Sequence, residues 1–304
     1  MIQARSAPLP ARRSRAWRGR NATAYLLLAP GLLLHLGVVG VPVVLTVCLS
    51  LTAWDGIGPI TFVGLANFQK LAGDRVFWQS FTNNLRWIAI FLTIPIGMGL
   101  VVAALLGHVE RGRTLYRALI YLPYVLSAVM VSRIWSALYH PFYGLNALTG
   151  ALGWRWARLS GIGDPAAALY YVANAANWHW WPFPAVIFLA AMQQIDRSLY
   201  EAAAVEGASE LSAFRYITLP LLRPTVVFLL LMATIWGFNA FEYVYVMTKG
   251  GPAHASELMA TWIFATMIEQ RDAGYAATLA VALGTICSVV IGLYVHLRRR
   301  GWEV

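Results

Sequence analysis

Charged residues are scarce in this chain of 304 residues, because Asp, Glu, Lys and Arg make up 12% of it, against 59% apolar residues. A soluble domain carries about 25% charged residues. The surface of this chain has too few charges for water to solvate it, which excludes a soluble globular enzyme. The high apolar content also excludes intrinsic disorder. The composition therefore predicts an integral membrane protein that crosses the bilayer several times.

Lysine and cysteine are nearly absent. Lys70 and Lys249 are the two lysines among 23 basic residues. The basic residues gather at the ends of apolar runs and form no single patch, so nucleic acid is not an expected partner. Cys48 and Cys287 both lie within apolar runs, which provides neither a disulfide framework nor the ligand spacing of a zinc site.

Catalytic motifs are absent from the sequence as well. No G-x-x-x-x-G-K-[ST] phosphate loop occurs, so the chain is not expected to hydrolyse ATP. The six histidines are dispersed along the chain, and none forms H-E-x-x-H or a triad with a serine and an acid. The sequence predicts a non-catalytic chain.

Six apolar stretches are long enough to cross a bilayer, which takes about 20 residues. They cover residues 25–51, 87–109, 118–139, 168–193, 224–247 and 273–297. An Arg-rich tail, residues 1–23, precedes this six-span domain, residues 24–304. Six spans place both termini on the same side of the membrane.

Arginine placement predicts which side that is. Fifteen of the 23 basic residues lie on one face, namely in the N-terminal tail, the loops after spans two and four, and the C-terminal end. Basic residues concentrate on the cytoplasmic side of membrane proteins. We therefore expect both termini to be cytoplasmic.

The cytoplasmic loop 196–223 carries helix signals that a simple linker does not need. Ser198 and Glu201 fit a capping box, three alanines then favour helix, and Gly207 is suited to end it. Ser209 can cap a second short helix, which Pro220 is expected to stop. We predict a helix–turn–helix wedge, with an amphipathic loop lying on the membrane as the alternative.

This loop resembles the EAA motif found in permease subunits of binding-protein-dependent ABC importers. The matching residues are Glu201, Ala202, Ala203, Gly207, Ile217, Leu219 and Pro220. Residues 62–68, 121–123, 249–252 and 274–277 also resemble that family, and its carbohydrate branch, the MalF/UgpA-like proteins, is the most similar. Glu206 stands where that branch usually has Asp.

The resemblance implies an all-α integral membrane protein with the six-helix type I importer permease (MetI-like) fold. It implies that the loop 196–223 is a coupling helix seated on a separate cytoplasmic ATPase dimer, which binds ATP and Mg while this chain binds no cofactor. Further implied partners are a second, MalG-like permease, an extracytoplasmic solute-binding protein and a carbohydrate. The implied location is a bacterial cell membrane.

Spans four and five are the candidate sugar pathway, because they combine aromatic faces with amide groups. By resemblance, the pathway residues are His179, Trp180, Phe183, Phe238, Asn239, Tyr245 and Asn177, together with Glu242. An aromatic belt at the membrane interface is the alternative for the tryptophans and tyrosines. Glu242 lies within an apolar run, where a charge is costly, and it could bind a hydroxyl, pair with a neighbouring subunit or stand solvated at the mouth.

Three other functions compete with a carbohydrate importer. A glycerol-3-phosphate importer permease of the same family is the nearest, although spans four and five have no internal basic residues for a phosphate. A self-sufficient secondary transporter would need more acidic residues in its spans. A membrane enzyme such as a lipid-linked sugar transferase would need acidic or histidine clusters at the membrane face.

Overall fold

A computed structural model describes residues 14–107, 109, 111–153 and 161–299, with side chains from residue 25 onwards except at positions 113 and 297–299. The protein is 76% helical, which confirms the expected all-α fold. The described part adds one pair of short antiparallel strands, β1 (Thr52–Ala53) and β2 (Thr61–Phe62). Residues 1–13 of the predicted Arg-rich tail lie outside the described residues.

The described residues form sixteen α-helices and three π-helical turns. The first group is α1 (Ser14–His35), a π-turn (Leu36–Gly40), α2 (Val41–Ser50), α3 (Ala66–Gly73), α4 (Arg75–Gly107), α5 (Arg113–Val125), α6 (Ala128–Leu138) and α7 (Leu145–Ala151). The second group is α8 (Ala168–Trp180), α9 (Pro182–Met192), α10 (Arg197–Val205), α11 (Glu210–Ala213), a π-turn (Phe214–Thr218), α12 (Leu219–Leu221), α13 (Arg223–Phe238), α14 (Glu242–Met247), α15 (Met259–Phe264), a π-turn (Ala265–Glu269) and α16 (Ala273–Arg299).

Within the described residues, three helices are each long and apolar enough to cross a membrane. They are Tyr25–Ser50, Arg75–Gly107 and Ala273–His296. The number rises to five if each of two bent pairs is one span, namely Thr114–Val125 with Ala128–Leu138 and Glu210–Leu221 with Arg223–Phe238. The six separate spans remain a prediction.

Three of the expected spans are broken into two helices. The third is α5 and α6, which meet at 88°, the fourth is α8 and α9, and the fifth is α13 and α14. Each break has a local cause. The Ser127 hydroxyl accepts a hydrogen bond from the Met130 amide and caps α6, Pro182 lacks an N–H at the start of α9, and residues 239–241 separate α13 from α14.

The second span begins earlier than predicted, because α4 starts at residue 75 and not at 87. Its N-terminal half carries Asn83 and Asn84, polar residues that an apolar-run criterion rejects. Both are buried. The Asn84 amide donates to the Gly237 carbonyl at 2.9 Å and its oxygen accepts from the Met259 amide at 2.8 Å. This end of α4 is therefore packed inside the protein.

The packing of α4 against α9 requires a glycine. A Cβ atom at Gly99 would lie 2.7 Å from the backbone nitrogen of Ala185 and 2.9 Å from the Cβ of Pro184. The two helices therefore approach closely at this point. Around it lies the larger of two apolar cores, which includes Trp87, Phe91 and Phe188.

Asp74 anchors the N-terminal end of α4 to α15 and α16. Its carboxylate accepts hydrogen bonds from the Tyr275 hydroxyl at 2.6 Å and the Trp262 indole at 3.0 Å. Burial opposes the charged form of Asp74, but these bonds and those from backbone amides outweigh it, so the pKa of Asp74 lies below its ordinary value. Nearby, Lys70 pairs with Asp272 at 2.6 Å.

Candidate functional site

An aromatic cavity of about 560 Å³ opens between α4, the α5–α6 bend, α8 and the α13–α14 break. Six aromatic side chains form its walls, and they are Trp87, Phe91, Tyr124, Trp180, Trp236 and Tyr243. The rings contact one another, for example Trp180 with Phe91 at 5.5 Å and with Trp236 at 5.7 Å between centroids. These mutual contacts fix the ring orientations.

Three polar side chains face this aromatic cavity. His179 lies on α8 and its Nδ1 forms a short hydrogen bond with the Tyr243 hydroxyl. Asn239 is exposed just after the end of α13, and its amide donates to the Ile235 carbonyl at 2.8 Å. Glu242 is exposed at the first position of α14. The cavity thus offers an imidazole, an amide and a carboxylate among flat apolar surfaces.

Four of the eight predicted pathway residues line the cavity: His179, Trp180, Asn239 and Glu242. A fifth, Phe183, is not a lining residue but contacts two residues that are: its ring centroid lies 5.9 Å from that of Trp180 and 5.4 Å from that of Trp236. The local stretches that carried the resemblance therefore converge on one place in the fold.

The other three predicted pathway residues lie elsewhere. Phe238 is buried in the second apolar core with Ile88 and Leu279, because it points away from Trp236 on the opposite side of α13. Tyr245 stacks with Phe241 and packs on Phe264, outside the cavity. Asn177 is buried within α8 and does not line the cavity. The structure thus gives these three no access to it.

The sequence prediction missed the three aromatic cavity residues that come from spans two and three. Trp87 and Phe91 lie one turn apart on the buried face of α4, and Tyr124 lies in the last turn of α5, before the bend. The candidate pathway residues came from spans four and five alone. The signal that could have found Tyr124 is Pro123 beside it, since a proline near a helix end marks a break where an aromatic ring can enter a cavity.

A smaller cavity of about 380 Å³ lies between α5 and α9, and Arg117, Tyr121 and Gln193 are among its lining residues. Tyr121 contacts Tyr124, a lining residue of the aromatic cavity, at 5.2 Å, and Tyr124 stacks on Phe183 at 5.6 Å. The contact between Tyr121 and Tyr124 therefore lies between the smaller cavity and the aromatic cavity.

The loop 196–223 forms two helical arms, as the sequence predicted, but its first cap differs. Asp196, and not Ser198, caps α10, since its carboxylate accepts the Ser198 amide hydrogen bond at 2.9 Å. That bond lowers the pKa of Asp196 below its ordinary value. The predicted capping box fails because α10 starts at Arg197, which places Ser198 inside the first turn.

Gly207 ends α10 in the left-handed conformation, with φ +78°. The Gly207 amide donates to the Ala204 carbonyl at 3.0 Å, and the Ala208 amide donates to the Ala203 carbonyl at 2.9 Å. This pair of bonds is the Schellman arrangement. It turns the chain sharply between the two arms of the loop, so Gly207 has the conformation that the sequence predicted.

The second arm starts at the predicted cap but runs further than predicted. Ser209 caps α11 by accepting from the Ser212 amide at 3.3 Å. Helical structure then continues through the π-turn that contains Ile217, to Leu221, and bends by 61° into α13. Pro220 does not stop it: the proline falls directly after the π-turn, where the helical hydrogen-bond ladder is already irregular.

The two arms are joined to each other, and their exposed tip combines apolar and acidic side chains. The Tyr200 hydroxyl bonds the buried Thr218 hydroxyl at 2.8 Å. At the tip, Val205 is 87% and Leu211 is 76% exposed, and the chain between them carries two exposed glutamates, at positions 206 and 210. The EAA residues Glu201 and Ala202 are also exposed, and Ala203 is half-buried. The loop is therefore a hydrogen-bonded wedge whose exposed apolar side chains at the tip have no partner among the described residues.

Broken apolar helices around an aromatic cavity that contains three polar side chains, with a wedge at one end, indicate a membrane transport subunit. The chain belongs to the family of inner membrane components of binding-protein-dependent transport systems, whose model matches residues 95–302. Members are non-catalytic, multi-pass membrane permeases.

Known relatives resemble this chain over nearly their whole length. The probable ABC transporter permease protein PH1215 of Pyrococcus horikoshii is 33% identical over 282 residues, covering 91% of this chain and 96% of that protein. The lactose transport system permease protein LacF of Rhizobium radiobacter is 30% identical over 291 residues, covering 94% and 97%. The crystal structure of a bacterial ABC transporter for the acidic polysaccharide alginate matches with a TM-score of 0.81 at 22% identity, covering 94% and 99%.

Proposed function

We propose that this chain forms half of the translocation pathway of an ATP-driven carbohydrate importer, beside a second, MalG-like permease. The observation that carries the proposal is the aromatic cavity with its imidazole, amide and carboxylate groups. The relative LacF, which is named for lactose transport, supports a carbohydrate as the substrate class.

The chemistry of the cavity suits a sugar. Aromatic faces stack against the apolar C–H surfaces of a pyranose ring, and the side chains of His179, Asn239 and Glu242 can hydrogen-bond its hydroxyls. The volume of about 560 Å³ lies in the range of small-molecule sites, about 300–1,000 Å³. The cavity is therefore large enough for one or two sugar rings.

We propose that the loop 196–223 docks on a cytoplasmic ATPase dimer, which binds ATP and Mg, while this chain binds no cofactor itself. The exposed side chains of Val205 and Leu211 supply an apolar contact surface of the kind that protein interfaces bury. The bond between Tyr200 and Thr218 makes the loop stiff enough to transmit rigid-body motion to the spans.

The arginine distribution supports an orientation with both termini in the cytoplasm. In that orientation the β1–β2 hairpin and the segment 249–272 face outward, where a solute-binding protein would deliver the sugar. The wedge then lies on the cytoplasmic side, where an ATPase can reach it.

A phosphate-bearing substrate such as glycerol-3-phosphate is a weaker candidate. Among the described residues, none of those lining the aromatic cavity is Lys or Arg, and phosphate recognition normally uses such cations. A secondary transporter would not need the exposed cytoplasmic wedge.

ATP-dependent uptake into proteoliposomes containing the whole importer tests the proposal. A thermal-shift screen of neutral saccharides on the importer's own binding protein selects the labelled sugar. We expect Trp236→Ala to raise the KM of uptake about three- to tenfold, since one aromatic contact contributes about 0.5–1.5 kcal/mol.

The matched control is Trp178→Ala, because Trp178 packs on Trp135 outside the aromatic cavity. It should leave the KM unchanged. A binding protein that recognises no saccharide, or equal KM values for the two variants, would contradict the proposal.

A further inference from the structure

We propose that Glu242 makes the aromatic cavity selective by charge, so that it admits uncharged or cationic saccharides and disfavours acidic ones such as uronates. The inference rests on the proposed function, since it concerns which sugars the same cavity accepts.

Glu242 is the one carboxylate among the described lining residues, and that lining contains no Lys or Arg. Glu242 is exposed at the first position of α14 and belongs to the cavity lining. The ion pairs in the described part of the chain are Lys70–Asp272 and His254–Glu257, so no cation of that part neutralises Glu242.

The walls of the cavity make this single charge effective. The aromatic rings are poorly polarisable, so a charge that lies against them interacts with a second charge more strongly than two charges in bulk water do. A sugar carboxylate held against these rings is repelled by Glu242, whereas a hydroxyl in the same place can donate a hydrogen bond to it. We expect at least tenfold discrimination, since at an effective dielectric constant near 20 two unit charges about 12 Å apart interact by that much, and closer charges by more.

The sign of the cavity potential can be measured without knowing the natural sugar. In the whole importer with Cys48 and Cys287 replaced by alanine, Ala240→Cys places a thiol in the cavity lining. Its reaction rates with a cationic methanethiosulfonate (trimethylammonium-ethyl) and an anionic one (sulfonatoethyl) are compared with those of free cysteine.

We expect the cationic reagent to be favoured, and Glu242→Gln to reduce that preference about tenfold. Glu269→Gln, on the exposed π-turn outside the cavity, is the matched control and should leave the preference unchanged. An unchanged preference in Glu242→Gln would overturn the inference, and this is also the result if a cation of the second permease neutralises Glu242.

Substrate selection is tested with two probes that differ by one group, 4-nitrophenyl β-glucoside and 4-nitrophenyl β-glucuronide. Their binding to the importer is followed by quenching of tryptophan fluorescence. We expect the glucoside to bind about tenfold more tightly, and Glu242→Gln to abolish most of the difference. Equal binding of both probes would overturn the charge selectivity and leave the proposed function intact. Failure of both probes to bind would contradict the proposed sugar site itself.

Discussion

At the scale of single residues, Gly207 determines the shape of the wedge formed by residues 196–223. Its φ of +78° belongs to the left-handed region, which residues with a Cβ atom enter at a cost of roughly 1–2 kcal/mol. The position has open space around it, because no atom lies within 4 Å of an added Cβ. Position 207 therefore requires glycine because of its backbone conformation and not because a larger side chain would clash.

Gly207→Val is expected to displace the second arm of the wedge, because a β-branched residue resists the left-handed conformation. We expect at least a tenfold loss of ATP-dependent uptake, accompanied by weaker copurification of the ATPase. Gly207→Asn is the matched control, since asparagine tolerates this conformation, and it should keep most of the uptake. Normal uptake and copurification in Gly207→Val would contradict the role given to this turn.

Asp74 makes the stability of the region where α4, α15 and α16 meet depend on pH. Because the pKa of its carboxyl group lies below the ordinary value in the folded protein, its stabilising effect is complete above the ordinary pKa and is lost as the pH falls through the lowered one. Asp74→Asn should lower the thermal midpoint of the purified importer by about 2–4 °C at pH 7.

The thermal midpoint of the unchanged protein should fall between pH 5 and pH 3, and that of Asp74→Asn should fall less. Tryptophan fluorescence follows the unfolding. Glu269→Gln is the control, since the structure gives the Glu269 side chain no hydrogen bond. An Asp74→Asn protein with an unchanged midpoint would show that the bonds from Tyr275 and Trp262 add no stability.

The cavity residues show what local sequence can and cannot predict. His179, Trp180 and Asn239 were predicted from short family-like stretches and Glu242 from its place in an apolar run, and all four line one cavity. Phe238 lies outside that cavity, because each position along a helix rotates a side chain by about 100° and no motif indicates which face of α13 the cavity meets. Trp87 and Tyr124 were missed because they approach from other spans.

At the scale of elements, the broken helices shape the aromatic cavity. The aromatic cavity lies at the bend between α5 and α6 and at the break between α13 and α14. Irregular backbone within a membrane is tolerated where it lines a cavity or is buried in protein. The apolar runs predicted that helices occupy these stretches, but an apolar run does not indicate where the helix bends. Ser127 and Pro182 mark two of these breaks in the sequence.

The crossing of α4 and α9 should be sensitive to one methyl group. Gly99→Ala would place a Cβ atom 2.7 Å from the Ala185 backbone nitrogen, and overpacking of this kind costs about 1–3 kcal/mol. Gly97→Ala, two residues away on the same helix, meets nothing within 4 Å. It should be neutral or slightly stabilising, since alanine favours helix over glycine.

Thermal unfolding of the two variants in the assembled importer checks this prediction. We expect a lower midpoint for Gly99→Ala alone. Equal midpoints for Gly99→Ala and Gly97→Ala would mean that α4 and α9 do not approach as closely as the structure indicates.

At the scale of the whole molecule, composition and the EAA stretch predicted the class of protein, and the family match confirms it. Positive-inside arginines and apolar run lengths are properties that a bilayer imposes on any sequence, so they can be read without a structure. The relative placement of spans depends on contacts between distant residues, such as Asn84 with the Gly237 carbonyl. Those contacts leave no pattern in a single sequence.

Docking of the exposed wedge tip on an ATPase made by another chain is tested most directly by photocrosslinking. With Cys48 and Cys287 replaced by alanine, Val205→Cys carries a maleimide-benzophenone photocrosslinker in the assembled importer. Ile57→Cys is the matched control, because Ile57 is 85% exposed against 87% for Val205 and lies in the hairpin expected on the opposite side. We expect a photoadduct between Val205→Cys and the ATPase subunit and none from Ile57→Cys. A Val205→Cys adduct pattern that lacks the ATPase would contradict docking at the tip.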